Sequence, residues 1–173
     1  MTTKLEKIFY TATAHTTGGR EGTSRTDDGR LEVTLSAPGT AGVGTNPEQL
    51  FAVGYAACFL SALQAVAAAR KVTLPENSAI DSRVDLGKLD RGYAIAATLN
   101  VILPGVARET AQDLIDAAHR ACPYSKAIRG NVEVTINLVK PVIHPSRCRD
   151  DAGQSGQRAD KPRTKTVDTP RTS

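Results

Sequence analysis

The chain contains no tryptophan, a single methionine and only 4% aromatic residues, so alanine, valine and leucine must supply most of any core. At 40% hydrophobic over 173 residues, enough remains for one domain with a sizeable interior. The three cysteines, Cys58, Cys122 and Cys148, include no CxxC pair, and His15, His119 and His144 are scattered. That spacing gives no support to a zinc site, and no metal is expected. The N-terminus, MTTKLEKIFYTATA, lacks the apolar run of a secretory signal. A cytoplasmic location is expected, where structural disulfides are uncommon and the cysteines that matter are catalytic or metal-bound.

A concentrated basic surface is also missing. The net charge is +4, but residues 144–173 hold seven Lys/Arg against four Asp, a net +3 that leaves only +1 for residues 1–143. Without a dense basic stripe, nucleic-acid binding by the core is not expected.

Residues 4–14 (KLEKIFYTATA) are rich in β-branched and aromatic residues and predict a strand. HTTGGREGTSRTDDGR reads as a loop, and RLEVTL, with Leu31, Val33 and Leu35 alternating against polar neighbours, reads as a half-buried strand. After a second Gly/Pro loop, NPEQLFAVGYAACFLSALQAVAAAR predicts a helix. Asn46 can cap it, Pro47 suits its first position and Gln49 completes a capping-box spacing. It should run to about Arg70 or Lys71, since Pro75 forbids continuation. Some twenty residues at about 1.5 Å each could cross a bilayer. Ser61, Gln64, Gly54 and many alanines make the stretch weakly hydrophobic, and its neighbours read as amphipathic strands. The expectation is a central buried helix of a soluble protein.

Residues 80–89 and 93–102 predict a hairpin about DRG, with Tyr93, Ile95, Ala97, Leu99 and Val101 on one face. VARETAQDLIDAAHRAC predicts a helix with Ala111, Leu114, Ile115 and Ala118 as its apolar stripe, ended by Pro123. SKAIRGN reads as a short helical turn closed by Gly130, and NVEVTINLV as a core strand. The fold class is therefore α+β, with helices packed on antiparallel sheet. From about residue 141 the composition turns polar, so the expected organisation is one domain over 1–140 and a disordered basic tail over 141–173.

Cys58, in the middle of the long helix, has two readings. A free cysteine behaves as a small buried hydrophobe, and Cys122, at a helix end before proline, has the same inert reading. Either could instead be a reactive thiol. Glu48 in the first turn is explained by the helix dipole alone, and Arg20 in TTGGREG by a solvated loop.

The motifs shift those odds. NPEQLFAVGYAACFLSAL, ACPYSKAIRGNVEV and TATAHTTGGREG resemble the organic hydroperoxide resistance (Ohr) proteins, a branch of the OsmC superfamily, over about residues 4–140. The resemblance implies an OsmC-like fold, with antiparallel sheets around a long central helix in an intertwined homodimer. It implies a thiol peroxidase that reduces organic hydroperoxides. Cys58 in GYAACF then matches the peroxidatic cysteine and Cys122 in CPYS the resolving cysteine, while Arg20 and Glu48 match the family's Arg–Glu pair. The family usually carries Asp after that arginine. Here it is Glu21, a departure that conserves charge.

The chemistry fits those residue types. A thiolate attacks a peroxide oxygen, burial disfavours the thiolate, and a neighbouring guanidinium opposes that penalty. Arginine keeps its own proton and offers several donors, and Glu48 would aim them. Leu50, Phe51, Phe59 and Leu60 are candidates for a pocket that buries the alkyl or acyl tail. Glu48 and Cys58 lie ten residues apart, about 15 Å along an unbroken helix. The Glu48 near a given Cys58 should therefore come from a second subunit.

In the implied cycle Cys58 becomes a sulfenic acid, Cys122 condenses with it, and an external dithiol reduces the disulfide. The family's dithiol is a protein-bound dihydrolipoyl group, so a lipoylated protein is the implied partner. No bound cofactor is required. Two other readings stay open: a redox-sensing or apolar-ligand-binding protein without turnover, and an OsmC-type enzyme acting on hydrogen peroxide. Cys148, in the polar tail, reads as an incidental exposed thiol.

Overall fold

In a computed structural model the described residues are 4–140. The order of elements is β1 (Ala14–Thr17), a 3-10 turn (Gly19–Glu21), β2 (Thr23–Thr26), β3 (Glu32–Thr34), α1 (Pro47–Ala69), β4 (Ala79–Leu89), β5 (Gly92–Ile102), α2 (Arg108–Ala121), α3 (Pro123–Ile128) and β6 (Glu133–Val139). The strands form two three-stranded sheets, β1-β2-β3 and β4-β5-β6. The fold class is α+β, as expected. The tail and Cys148 lie outside the described residues.

Helix α1 starts as the sequence predicts. Asn46 is extended, and its Oδ1 accepts a hydrogen bond from Gln49 N at 2.9 Å, with Pro47 in the first turn. The reciprocal half of the capping box is not made, because Gln49 Oε1 accepts from Thr45 Oγ1 instead. The helix ends at Arg70, and Lys71 then turns left-handed with φ of 57°.

Tyr55, Phe59, Leu63 and Ala67 are the fully buried positions of α1, a stripe at i, i+4, i+8 and i+12. It packs against β4, α2 and α3, meeting Leu99 and Val101 of β5 and the predicted stripe Ala111, Leu114, Ile115 and Ala118 of α2 in one core. A second face of α1, carrying Val53, Ala57, Ser61, Gln64, Ala65 and Ala68, is exposed. The expectation of a wholly buried helix is corrected on that face. So is the expectation of weak hydrophobicity: by length and composition α1 is apolar enough to cross a membrane, since no charge falls between Glu48 and Arg70.

Three strand assignments also change. Residues 4–13 form no strand, and Leu5, Ile8, Phe9 and Tyr10 are exposed. Strand propensity is present there, but among the described residues no strand pairs with it. The segment expected as a loop instead holds β1 and β2, whose threonines and serines face each other across the ladder (Thr16 to Ser24, 2.8 Å). Finally, β6 is an edge strand with no fully buried residue, and it pairs parallel to β5 (Leu99 with Ile136). The second sheet is therefore mixed. Its parallel pair is joined by the α2–α3 crossover, the kind of connection such pairing requires.

Candidate active site

The two cysteines expected to matter meet at the junction of the three helices. Cys122 Sγ lies 3.6 Å from Cys58 Sγ, although the residues are 64 positions apart. Both are free thiols, Cys122 fully buried and Cys58 partly so. Cys122 is held where α2 stops and α3 begins. Its backbone, at φ −57° and ψ 125°, leaves the helical region before Pro123.

Cys58 opens on a groove of ≈ 600 Å³ lined by Ser61, Ala62, Ala65, Val66, Ala69, Ala121 and Pro123. Burial pushes its thiol up from the ordinary cysteine range. A hydrogen bond from the Tyr124 backbone N–H opposes this, and the neighbouring Cys122 raises it further.

Arg20 and Glu48 form the second half of the site. The guanidinium donates from Nη1 to Oε2 at 2.8 Å and from Nη2 to Oε1 at 2.6 Å, a bidentate fork. The Arg20 side chain is 43% exposed and that of Glu48 11%. Their mutual hydrogen bonds push the carboxyl below its usual range and the guanidinium above its own. Both stay ionised. Glycines place Arg20: Gly18 is left-handed (φ 67°), and a Cβ on Gly22 would fall 1.8 Å from the Thr17 carbonyl oxygen.

Among the described residues no hydrogen bond joins Arg20 to Cys58. The chain carries a dithiol near the middle of α1 and an Arg–Glu pair at its start. With α1 unbroken, about 15 Å of helix axis separates positions 48 and 58. The expected guanidinium does not stand beside the thiol among the described residues.

The four predicted pocket residues do not line the cysteine groove. Phe59 has no exposed surface and sits in the core, in edge contact with Tyr55. Phe51 and Leu60 are half-buried against the core, with Phe51 in a small hollow beside Glu48, Val84 and Ile95. Leu50 is half-buried.

Sequence reasoning missed a polar network beneath the sulfurs. Ser125 Oγ lies 2.9 Å from Tyr55 Oη and 3.0 Å from His119 Nδ1, and Arg129 Nη2 donates to the His119 carbonyl at 2.9 Å. Burial pushes the Tyr55 phenol up and the His119 imidazole down, the latter helped by Arg129. The Ser125 hydroxyl can donate to one of these partners and accept from the other, and the His119 tautomer sets which. The available signal was positional. Tyr55 lies one turn before Phe59 on the buried stripe, and His119 lies four after Ile115.

The sequence model of the OsmC-like protein family matches residues 37–137. The organic hydroperoxide resistance protein of Xanthomonas axonopodis pv. citri is 50% identical over 137 residues, covering 77% of this chain and 96% of that one. The crystal structure of the organic hydroperoxide resistance protein OhrB of Bacillus subtilis superposes with a TM-score of 0.73 at 45% identity, over 76% of this chain and 100% of that one. A putative organic hydroperoxide resistance protein from Vibrio cholerae, with captopril bound in one of its active sites, gives 0.74 at 40% identity, over 78% of this chain and 95% of that one. The chain thus belongs to the OsmC-like protein family, in its organic hydroperoxide resistance branch.

Proposed function

We propose that this protein is a thiol peroxidase that reduces organic hydroperoxides through Cys58 and Cys122, in sites assembled across a homodimer. The observation that carries the reading is the 3.6 Å separation of the two sulfurs on the wall of an apolar groove. The Cys58 thiolate attacks the outer oxygen of ROOH, the O–O bond breaks, and the alkoxide leaves as ROH after taking a proton. The sulfur is then a sulfenic acid. The Cys122 thiolate attacks it, forming the disulfide and releasing water. An external dithiol, of the dihydrolipoyl class that the family resemblance implies, restores both thiols by exchange. The cycle uses no bound cofactor, and its setting is the cytoplasm.

Alkyl and acyl tails would lie along Ala62, Ala65 and Val66, gaining about 25 cal/mol for each Å² of apolar surface removed from water. Hydrogen peroxide gains nothing from that wall. The Arg20–Glu48 pair would serve the Cys58 of the other copy, lowering its pKa and stabilising charge on the departing oxygen. Two features support the dimer. Helix α1 is apolar nearly all round, yet one face of it is left uncovered, and the two half-sites lie too far apart along it to meet within one copy.

The test is consumption of cumene hydroperoxide and of hydrogen peroxide with dihydrolipoamide as reductant. Turnover of the organic peroxide with strong preference over hydrogen peroxide is expected. Stoichiometric oxidation without turnover would replace the enzyme with a redox sensor.

A further inference from the structure

Ser125 is fully buried. Its hydroxyl touches one residue from each of the other two helices, and Tyr55, His119 and Ser125 each lie three residues in sequence from a cysteine. Tyr55 is three residues before Cys58 on α1, while His119 of α2 lies three before Cys122 and Ser125 of α3 three after it, on either side of the joint. Tyr55 and Cys58, three apart within α1, are neighbours on that helix. One hydroxyl of α3 thus ties α1, which carries Cys58, to α2 and α3, which flank Cys122.

We propose that Ser125 is a positioning residue for disulfide closure: its hydroxyl holds α3 against α1 and α2 so that Cys122 Sγ stays within reach of Cys58 Sγ. The inference rests on the cycle proposed above and assigns a residue to one of its steps. In that step an electron pair of the Cys122 thiolate forms the S–S bond. The S–O bond of the sulfenic acid breaks, and hydroxide leaves to become water. Cys122 sulfur is oxidised and Cys58 sulfur reduced.

Closure must shorten 3.6 Å to a bond of about 2.05 Å, so it depends on where α3 stands. With six residues, α3 has little stability of its own, and tertiary contacts set its position. Cys122 sits on the non-helical joint between α2 and α3, where a small rotation would swing its sulfur. The two hydrogen bonds of Ser125 oppose that rotation, and at full burial water cannot replace them. Attack of peroxide on Cys58 has no such requirement. A misplacement of about 1 Å can slow an intramolecular step by about a hundredfold, so the hydroxyl should matter for closure and not for attack.

The experiment follows one oxidation of the reduced full-length protein by cumene hydroperoxide without dithiol, for the parent, Ser125→Ala and Tyr55→Phe. Peroxide loss reports attack. Dimedone-trapped sulfenic acid and the Cys58–Cys122 disulfide, resolved by mass spectrometry, report closure. Ser125→Ala should attack at the parent rate but close about tenfold to a hundredfold more slowly, with a matching rise in trapped sulfenic acid. Tyr55→Phe keeps the ring and removes one of the two bonds. It should show a smaller slowing in the same direction, and it decides the matter if Ser125→Ala does not fold. Closure at the parent rate in the folded variants would overturn the inference while leaving the cycle intact. Equal slowing of attack and closure would also overturn it, as the mark of a general structural role. A parent protein that forms no Cys58–Cys122 disulfide would remove the cycle itself, and the inference with it.

Discussion

At Cys58 a single copy of the chain works against the ionisation that the chemistry needs. Burial raises its pKa, and only the Tyr124 amide pulls the other way. In the proposed assembly a guanidinium from the second copy supplies the missing stabilisation, each pKa unit being worth about 1.4 kcal/mol. Replacing Arg20 by Ala should therefore raise the Cys58 pKa, read from the thiolate absorbance of a Cys122→Ser background. An unchanged titration would remove Arg20 from the mechanism. Cys58→Ser should abolish peroxide consumption, whereas Cys122→Ser should consume one equivalent and stop at the sulfenic acid. His119 gives a stability prediction. Its pKa falls on folding, so the folded state binds fewer protons, and its contribution is present above the unfolded value and lost as pH drops through the folded one. Denaturant titrations at about pH 7 and about pH 5 should show a smaller loss for His119→Gln than for the parent. Equal losses would contradict the assignment.

At the scale of elements, two joints set the geometry. Asn46→Ala should cost about 1 kcal/mol of stability by urea unfolding, because the cap bond to Gln49 N is lost. Gly22→Ala should be worse for function than for folding: the added methyl collides with the Thr17 carbonyl and must displace the turn that carries Arg20. Loss of peroxidase activity with retained far-UV circular dichroism is the expected pattern. The helices were legible in the sequence because their signals are local. The cap of α1 and the stripe Ala111, Leu114, Ile115, Ala118 need no knowledge of the rest of the fold. The strands were less legible because pairing is not local. Residues 4–13 have strand propensity without a partner strand among the described residues. Residues 14–26 pair through threonines that read as loop, and the position of β6 at a parallel edge depends on the crossover. In the site, no spacing rule brings Cys58 to Cys122, and the motif resemblance alone joined them. Phe59 was misplaced by its chemistry, since its i+4 relation to Tyr55 and Leu63 marks it as core.

At the scale of the whole molecule, α1 is a helix whose burial a single copy leaves unfinished. In the proposed assembly a second copy covers the exposed face of Val53, Ala57 and Ala65, and each cysteine pair meets the other copy's Arg–Glu fork. We propose that residues 1–140 hold everything this requires, so a chain ended at Lys140 should keep the fold and the peroxidase activity of the full chain. Loss of either would show that residues 141–173 contribute. The composite site is tested most directly by mixing two inactive variants, Cys58→Ser and Arg20→Ala, under conditions that let subunits exchange. In a mixed dimer one site joins the intact Cys58 of one copy to the intact Arg20 of the other. Random pairing should then restore about a quarter of the parent cumene hydroperoxide turnover. A mixture that exchanges subunits and stays as inactive as its components would contradict the account.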